Sequence, residues 1–90
     1  MASVIWRQEA LDELDAIIVY IKGFDPSAAV KTGGRLIALG QSLVDFPRRG
    51  RPMGNGLRKL TSVPPYIIRY HVVDEAVHIL SVRHGARLLD

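Results

Sequence analysis

The 90-residue sequence contains no cysteine, so neither disulfide bonds nor thiolate metal sites can stabilise its fold. Its longest apolar run, at positions 16–21, is far shorter than the roughly 20 residues that a membrane-spanning helix needs. The first residues lack the basic region and long apolar stretch of a signal peptide, and the chain has no repeat or low-complexity linker. These absences favour one small domain, residues 1–90, in a reducing cytoplasm, with no membrane contact.

Positive charge is concentrated in the second half of the chain. Residues 46–90 carry eight Lys or Arg against three Asp or Glu, whereas residues 1–45 carry four against six. The two halves therefore have net charges of +5 and −2, which agree with the overall charge of +3. A basic half of this kind suits an anionic partner, either nucleic acid or an acidic protein surface.

Two helices are predicted in the first half. Apolar residues recur at helical spacing between Gln8 and Lys22, and Gly23 then supplies a C-terminal stop. The pair Asp25-Pro26 offers an N-cap and a favoured first residue for a second helix, which runs to about residue 45. The predicted inward residues are Ala10, Leu11, Leu14, Ile17, Ile18 and Ile21 in the first helix, and Ala29, Gly33, Leu36, Ile37, Gly40, Leu43 and Val44 in the second.

Gly33 and Gly40 lie seven residues apart and so share one face of the second helix. Each costs about 1 kcal/mol relative to Ala in a helix interior, which predicts close approach of the first helix in an antiparallel hairpin. The alternative is that the Gly-Gly pair at 33–34 merely weakens the helix. Asp12, Glu13 and Asp15 lie off the apolar stripe of the first helix, and we expect them to be solvated and without a catalytic role.

The second half reads as a meander of three strands. Leu57–Val63, Tyr66–Val73 and Ala76–His84 are rich in β-branched and aromatic residues, and Ser3–Trp6 predicts a short edge strand before the helices. Residues 48–56 contain glycines, a proline and an asparagine, and are predicted to form a loop. The fold class is therefore α+β, in the order β-α-α-β-β-β, with the helix hairpin packed on a small, mainly antiparallel sheet.

A two-residue turn at Asp74-Glu75 would pair His71 with His78 and Arg69 with Leu80. Alternation then divides the side chains between two faces. The helix-covered face would hold Tyr66, Ile68, Tyr70, Val72, Val77 and Ile79, and the other face Ile67, Arg69, His71, His78, Leu80, Val82 and His84. Two facing histidines without a third ligand predict a stacked or solvated pair, so no metal site is expected. Trp6, Tyr66 and Tyr70 are expected to be core residues.

Taken in order, these residues resemble the ParE/RelE superfamily of toxins from type II toxin–antitoxin, or plasmid stabilisation, modules. The resemblance covers nearly the whole chain, and the run Arg83-His84-Gly85-Ala86-Arg87 is similar to the end of the ParE-like branch. The other residues that carry it are Trp6, Ala10-Leu11, Leu14, Tyr20-Ile21, Asp25-Pro26, Ala28-Ala29, Phe46-Pro47, Gly50-Arg51-Pro52, Gly56-Leu57-Arg58, Pro65-Tyr66 and Tyr70.

The resemblance implies one of two activities. ParE-like toxins inhibit DNA gyrase by binding, whereas RelE-like toxins cleave mRNA in the ribosomal A site and need cations and an acid/base pair around the phosphate. RelE-like nucleases often carry an arginine directly after an aromatic residue or histidine in the third strand. Here Ile67 stands at that place and Arg69 follows two residues later, with no aromatic residue after Tyr70. These departures favour the ParE-like activity over an enzyme.

For a toxin that acts by binding, the basic sheet and the basic loop supply the predicted binding residues. Arg58, Arg69, Arg83 and Arg87 are the predicted target-binding residues, and Arg48, Arg49 and Arg51 are predicted to receive acidic residues of a ParD-like antitoxin. In the nuclease alternative, His84 acts as the acid/base group and Arg83 binds the phosphate. A third alternative is a non-toxic protein that only binds an antitoxin. None of the three needs a cofactor.

Overall fold

The computed structural model describes residues 1–85 and contains two helices against a five-stranded sheet. The elements are β1 (Ser3–Trp6), α1 (Gln8–Lys22), α2 (Pro26–Gln41), a 3-10 turn (Ser42–Val44), β2 (Arg51–Gly54), β3 (Leu57–Val63), β4 (Tyr66–Val73) and β5 (Ala76–His84). The strand order is β1-β5-β4-β3-β2, with β1 parallel to β5 and every other pair antiparallel. The predicted fold class is confirmed. Within the described range, no helix is long and apolar enough to cross a membrane.

The helix hairpin forms where the sequence predicts it. The Asp25 side chain accepts a hydrogen bond of 3.0 Å from the backbone N–H of Ala28, which caps the start of α2. At Gly33, an added Cβ would lie 2.8 Å from Cδ1 of Ile18 on α1, so the predicted close approach of the two helices is confirmed there. The prediction that Gly40 also faces α1 is wrong, because Gly40 packs against Trp6 of β1 and Ile79 of β5.

One continuous apolar core lies between the helix layer and the sheet. Its largest fully buried side chains are Tyr70, Leu36, Leu43, Ile68, Ile79, Val77 and Val82. Two residues predicted to face inward are instead 42% and 44% exposed, namely Leu11 of α1 and Ile37 of α2. Both lie at the margin of the buried stripe of their helix. They are exposed because the apolar face of each helix is wider than the part that the sheet covers.

Strand β2 corrects the prediction of a loop over residues 48–56. Arg51 pairs with Lys59 and Pro52 with Arg58, so the chain forms a hairpin before β3. The turn uses Asn55 and Gly56, both with positive φ, which is the backbone conformation that an Asn-Gly hairpin turn requires. The sequence therefore contained the signal for this hairpin, although glycine content alone suggested a loop.

A β-bulge corrects the predicted register of β4 against β5. His71 faces His78 as predicted, but Arg69 faces Ser81 instead of Leu80, because the register shifts between Arg69 and Tyr70. An extra residue in one strand exchanges the faces of all residues beyond it. The assignment of Val82 and His84 to the uncovered face is therefore wrong. Val82 is buried in the core, and His84 pairs with Tyr66 on the helix side.

Candidate functional site

Strand β1 pairs with the first half of β5 only. Along the second half of β5, the neighbour on that side is helix α1. Strand β1 ends at Trp6, and the last backbone bond on this edge runs from Arg7 N–H to the carbonyl of Ile79, at 3.0 Å. Beyond it, the carboxylate of Glu13 accepts a bond of 3.1 Å from Val82 N–H. A side chain of the first helix thus satisfies a backbone donor at the free sheet edge, which would otherwise lack a protein partner.

Arg83 is bound by the same carboxylate. Its Nε donates to Oε2 of Glu13 at 2.7 Å, and its Nη2 donates to Oε1 of Glu9 at 3.0 Å. The hydrogen bond and charge of Glu13, followed by the charge of Glu9, raise the pKa of Arg83 above its ordinary value. The expectation that Glu13 is a solvated residue is wrong, because only 24% of its side chain is exposed. The positive charge of Arg83 is therefore balanced within the chain.

An open groove lies beside this ion pair, between α1 and the ends of β4 and β5. His84 packs edge-to-face on Tyr66, with ring centroids 6.0 Å apart. The groove is lined by Glu13, Ala16, Ile17, Tyr20, Tyr66, Val82, Arg83 and His84. The carboxylate of Glu13 in this groove repels a phosphate, which disfavours binding of an RNA backbone there.

The basic loop before β2 is held by four hydrogen bonds, one of which is buried. Gly50 N–H donates to the hydroxyl of Tyr70 at 2.9 Å, and Tyr70 is completely buried. Arg58 donates to the carbonyls of Arg48 and Gly50, at 3.1 and 2.8 Å. Arg49 donates to the Ser42 hydroxyl at 2.9 Å. The loop that carries Arg48 and Arg49 is therefore fixed in position, up to Arg51 at the start of β2, and all three arginines are exposed.

The sheet face turned away from the helices, here called the open face, carries a row of cations. Arg51 faces Lys59, and Lys59 faces Arg69, across three neighbouring strands. Facing residues in a sheet project to the same side, and Lys59 and Arg69 alternate with the core residues Leu60 and Ile68. We call Arg51, Lys59 and Arg69 the cationic row.

The facing histidines lie on the same open face. The rings of His71 and His78 pack edge-to-face with centroids 5.3 Å apart, and Arg7 Nη1 lies 3.4 Å from Nδ1 of His78. Among residues 1–85, no group of three or more His, Asp, Glu or Cys side chains could hold a metal ion. The two histidines are thus in edge-to-face ring contact.

The predicted target-binding arginines do not converge on one surface. Arg69 lies on the open face, Arg58 points to the other side and binds the basic loop, and Arg83 is held at the sheet edge. Arg87 lies outside the described residues. Sequence reasoning missed Lys59 as a neighbour of Arg51, and the Asn-Gly turn was the signal that would have paired them.

Replacing Glu13 with Ala should destabilise the protein by about 1–3 kcal/mol, because it leaves the Val82 N–H and the Nε–H of Arg83 without their acceptor. The Asp12→Ala variant is the matched control, since Asp12 is exposed and its carboxylate accepts a bond from Gln8 on the same helix. It should change the free energy of unfolding by less than about 0.5 kcal/mol. Urea titration of both variants measures the difference, and equal effects would show that Glu13 has no role at the edge.

Comparisons with known proteins agree with this architecture. Residues 4–89 match the family described as the ParE toxin of type II toxin–antitoxin system, parDE. Toxin RelE2 of Caulobacter vibrioides is 49% identical over 88 residues, which are 98% of this chain and all of that one. Toxin RelE1 of the same organism is 33% identical over 87 residues, 92% of each chain. A solved structure titled "Chromosomal ParDE TA system from P. aeruginosa" has a TM-score of 0.81 and 27% identity, covering 93% of this chain and 96% of that chain.

Proposed function

Because the chain belongs to the ParE toxin family of type II toxin–antitoxin systems, we propose that it is a toxin that inhibits DNA gyrase by binding, in the cytoplasm, and that a cognate antitoxin neutralises it. Growth arrest is then the consequence of inhibited gyrase. Cells that keep the encoding plasmid or locus keep the neutralising antitoxin and continue to grow, so the locus is retained. No bond is made or broken by the toxin in this mechanism.

The observation that carries the proposal is the state of Arg83. A nuclease site at the end of β5 would use Arg83 to bind the scissile phosphate and His84 to transfer a proton. Arg83 instead forms two bonds with Glu13 and Glu9, so a phosphate there would have to displace one carboxylate and approach the other. Together with Ile67 at the place of the nuclease arginine, this favours a protein-binding toxin over an enzyme.

Of the four predicted target-binding arginines, Arg69 is the one that we propose as the principal contact on the open face, with Arg87 as a further contact. Arg58 and Arg83 support this surface through the basic loop and the sheet edge, respectively. A binding surface needs charged and apolar side chains but no proton-transfer step, and the open face supplies such side chains around Arg69.

The antitoxin is proposed to bind the helix layer and the basic loop. The helices and the turn between them expose apolar side chains, namely Val19, Tyr20, Phe24, Val30 and Ile37. A disordered antitoxin segment that folds on binding would bury these side chains. Its acidic residues would pair with Arg48, Arg49 and Arg51, which are exposed in the basic loop and at the start of β2.

A ribosome-dependent mRNA endonuclease is the alternative, and the named RelE toxins among the relatives favour it. The two activities make opposite predictions for His84. Loss of an acid/base group typically lowers a rate by about 10²–10⁴-fold, whereas loss of one partly exposed histidine from a binding surface costs about 1 kcal/mol.

We therefore expect His84→Ala to arrest growth like the wild type when it is expressed without antitoxin. The purified protein should inhibit gyrase supercoiling, and mRNA in the arrested cells should remain intact. An Arg69→Ala/Arg87→Ala variant, shown by circular dichroism to fold, should lose growth arrest. Co-expression with the product of the adjacent gene controls for nonspecific toxicity, because it should restore growth.

Two outcomes would contradict the proposal. If growth arrest vanishes with His84→Ala and the wild type leaves cleaved mRNA, the protein is an endonuclease. If the wild-type protein neither arrests growth nor inhibits gyrase but still binds the adjacent gene product, it is a non-toxic antitoxin-binding protein.

A further inference from the structure

The cationic row is an electrostatically unfavourable arrangement for an isolated sheet. Arg51, Lys59 and Arg69 face one another directly across three strands, and like charges in facing positions destabilise a sheet. Neighbouring strands lie about 4.8 Å apart, so the three charges occupy a width of roughly 10 Å. Both salt bridges found among residues 1–85 belong to Arg83, so none of them neutralises the row.

Ser81 extends the row onto β5, where it faces Arg69. Ser81 is 4% exposed and is the one buried polar residue in the described part of the chain. Neither its Oγ nor the buried Nε of Arg69 has a hydrogen-bond partner among residues 1–85. Buried polar groups in proteins are nearly always hydrogen-bonded, so these two atoms at the Arg69 end of the row indicate an acceptor that a ligand would supply.

We propose that the cationic row, with Ser81 at its end, is an oxyanion site that binds the carboxylates of an acidic segment of a partner protein. Guanidinium and ammonium groups donate strong, charge-assisted hydrogen bonds to carboxylates. A carboxylate at Arg69 gives its Nε an acceptor, and a second carboxylate reaches Lys59 and Arg51 across the strands.

The residues on either side of the row favour a protein over a nucleic acid. On one side of the row, Ile67 lies two positions before Arg69 in β4. On the other side, Leu57 faces His71 and Ile5 faces His78 across neighbouring strands. Single-stranded nucleic acid binds by stacking its bases on exposed aromatic rings. The two imidazoles on this face instead pack edge-to-face on each other. A peptide that alternates acidic and apolar side chains matches both the charges and the apolar flanks.

This inference deepens the proposed function and rests on it only for the identity of the partner, which would be gyrase. The chemistry of the site can be tested on the purified chain alone. If the protein does not inhibit gyrase, the peptide measurement still tests the site. If the protein inhibits gyrase but does not bind the peptide, gyrase inhibition does not use this site.

The test is fluorescence anisotropy with a labelled dodecapeptide of alternating glutamate and leucine, compared with a labelled oligouridylate of the same length. The wild-type chain should bind the peptide more tightly than the oligonucleotide. Lys59→Gln/Arg69→Gln should weaken peptide binding about tenfold or more. In the wild type, the NMR resonance of the Arg69 Nε–H group should shift as peptide is added.

The matched control is Lys31→Gln/Arg35→Gln, which removes the same two charge types from exposed positions on α2. It should change the affinity less than about twofold. Equal weakening by both double variants would overturn the site, since net charge alone would then explain the binding. If the oligonucleotide binds more tightly than the peptide and Lys59→Gln/Arg69→Gln abolishes that binding, the partner is a nucleic acid and the choice of a protein is overturned. If the Arg69 resonance does not shift, Arg69 does not bind the peptide.

Discussion

Gly40→Leu is expected to destabilise the protein by about 3 kcal/mol, at the upper end of the range for inserting methylenes into a packed core. A Cβ at position 40 would overlap Cζ2 of Trp6 and lie 3.0 Å from Cδ1 of Ile79. Ile79 is fully buried on a central strand and cannot move aside without repacking the core. The melting temperature should fall by about 4–8 °C for each kcal/mol lost.

Gly34→Ala is the control for this result. Apart from the two chain neighbours and the backbone of the helix itself, no atom of residues 1–85 lies within 4 Å of a Cβ built at Gly34, and the residue is exposed. Alanine is a better helix former than glycine, so this variant should gain up to about 1 kcal/mol. Thermal unfolding followed by circular dichroism compares the two. A melting temperature for Gly40→Leu at or above that of the wild type would show that α2 does not pack on β1 and β5 at this point.

Tyr70→Ala is expected to cost about 3–5 kcal/mol, which is a large share of the total stability of a small domain. The ring is fully buried, and its hydroxyl accepts the Gly50 N–H bond that fixes the basic loop. Tyr70→Phe separates the two contributions, because it keeps the ring and removes only the acceptor. That variant should lose about 1–3 kcal/mol, the cost of one unsatisfied buried donor.

Urea unfolding measures both free energies, and amide hydrogen exchange at Gly50 reports on the loop itself. In Tyr70→Phe, the Gly50 amide should exchange faster than in the wild type while the central strands keep their protection. If Tyr70→Phe matches the wild type in both measurements, the hydroxyl does not hold the loop, and the placement of Arg51 in the cationic row needs another cause.

Most of the fold could be predicted from the sequence because the patterns that determine it involve residues only a few positions apart. The Asp25-Pro26 cap and the Asp74-Glu75 turn act within a few residues, and both lie where the sequence indicates. The contact of Gly33 with Ile18 was also predictable, since consecutive helices joined by a short turn pack as a hairpin.

The site was less predictable because it depends on long-range placement. A single bulge between Arg69 and Tyr70 moved Val82 and His84 to the helix side, and nothing in the β-branched pattern of the strands specifies it. Glu13 looked solvated because helical periodicity says only that it lies off the apolar stripe. Its binding to residues 82 and 83, about seventy positions later, depends on how α1 crosses the sheet edge.

The bond from Glu13 to the Val82 N–H also has a consequence for how this protein meets other chains. Unpaired backbone donors at a sheet edge invite strand addition, by a partner or by another copy of the same molecule in aggregation. A side-chain carboxylate occupies that position at the outer half of β5 and places negative charge along it. An incoming strand must therefore dock elsewhere, at β1 or at the short, bulged β2, which limits the ways in which copies of the free protein can polymerise.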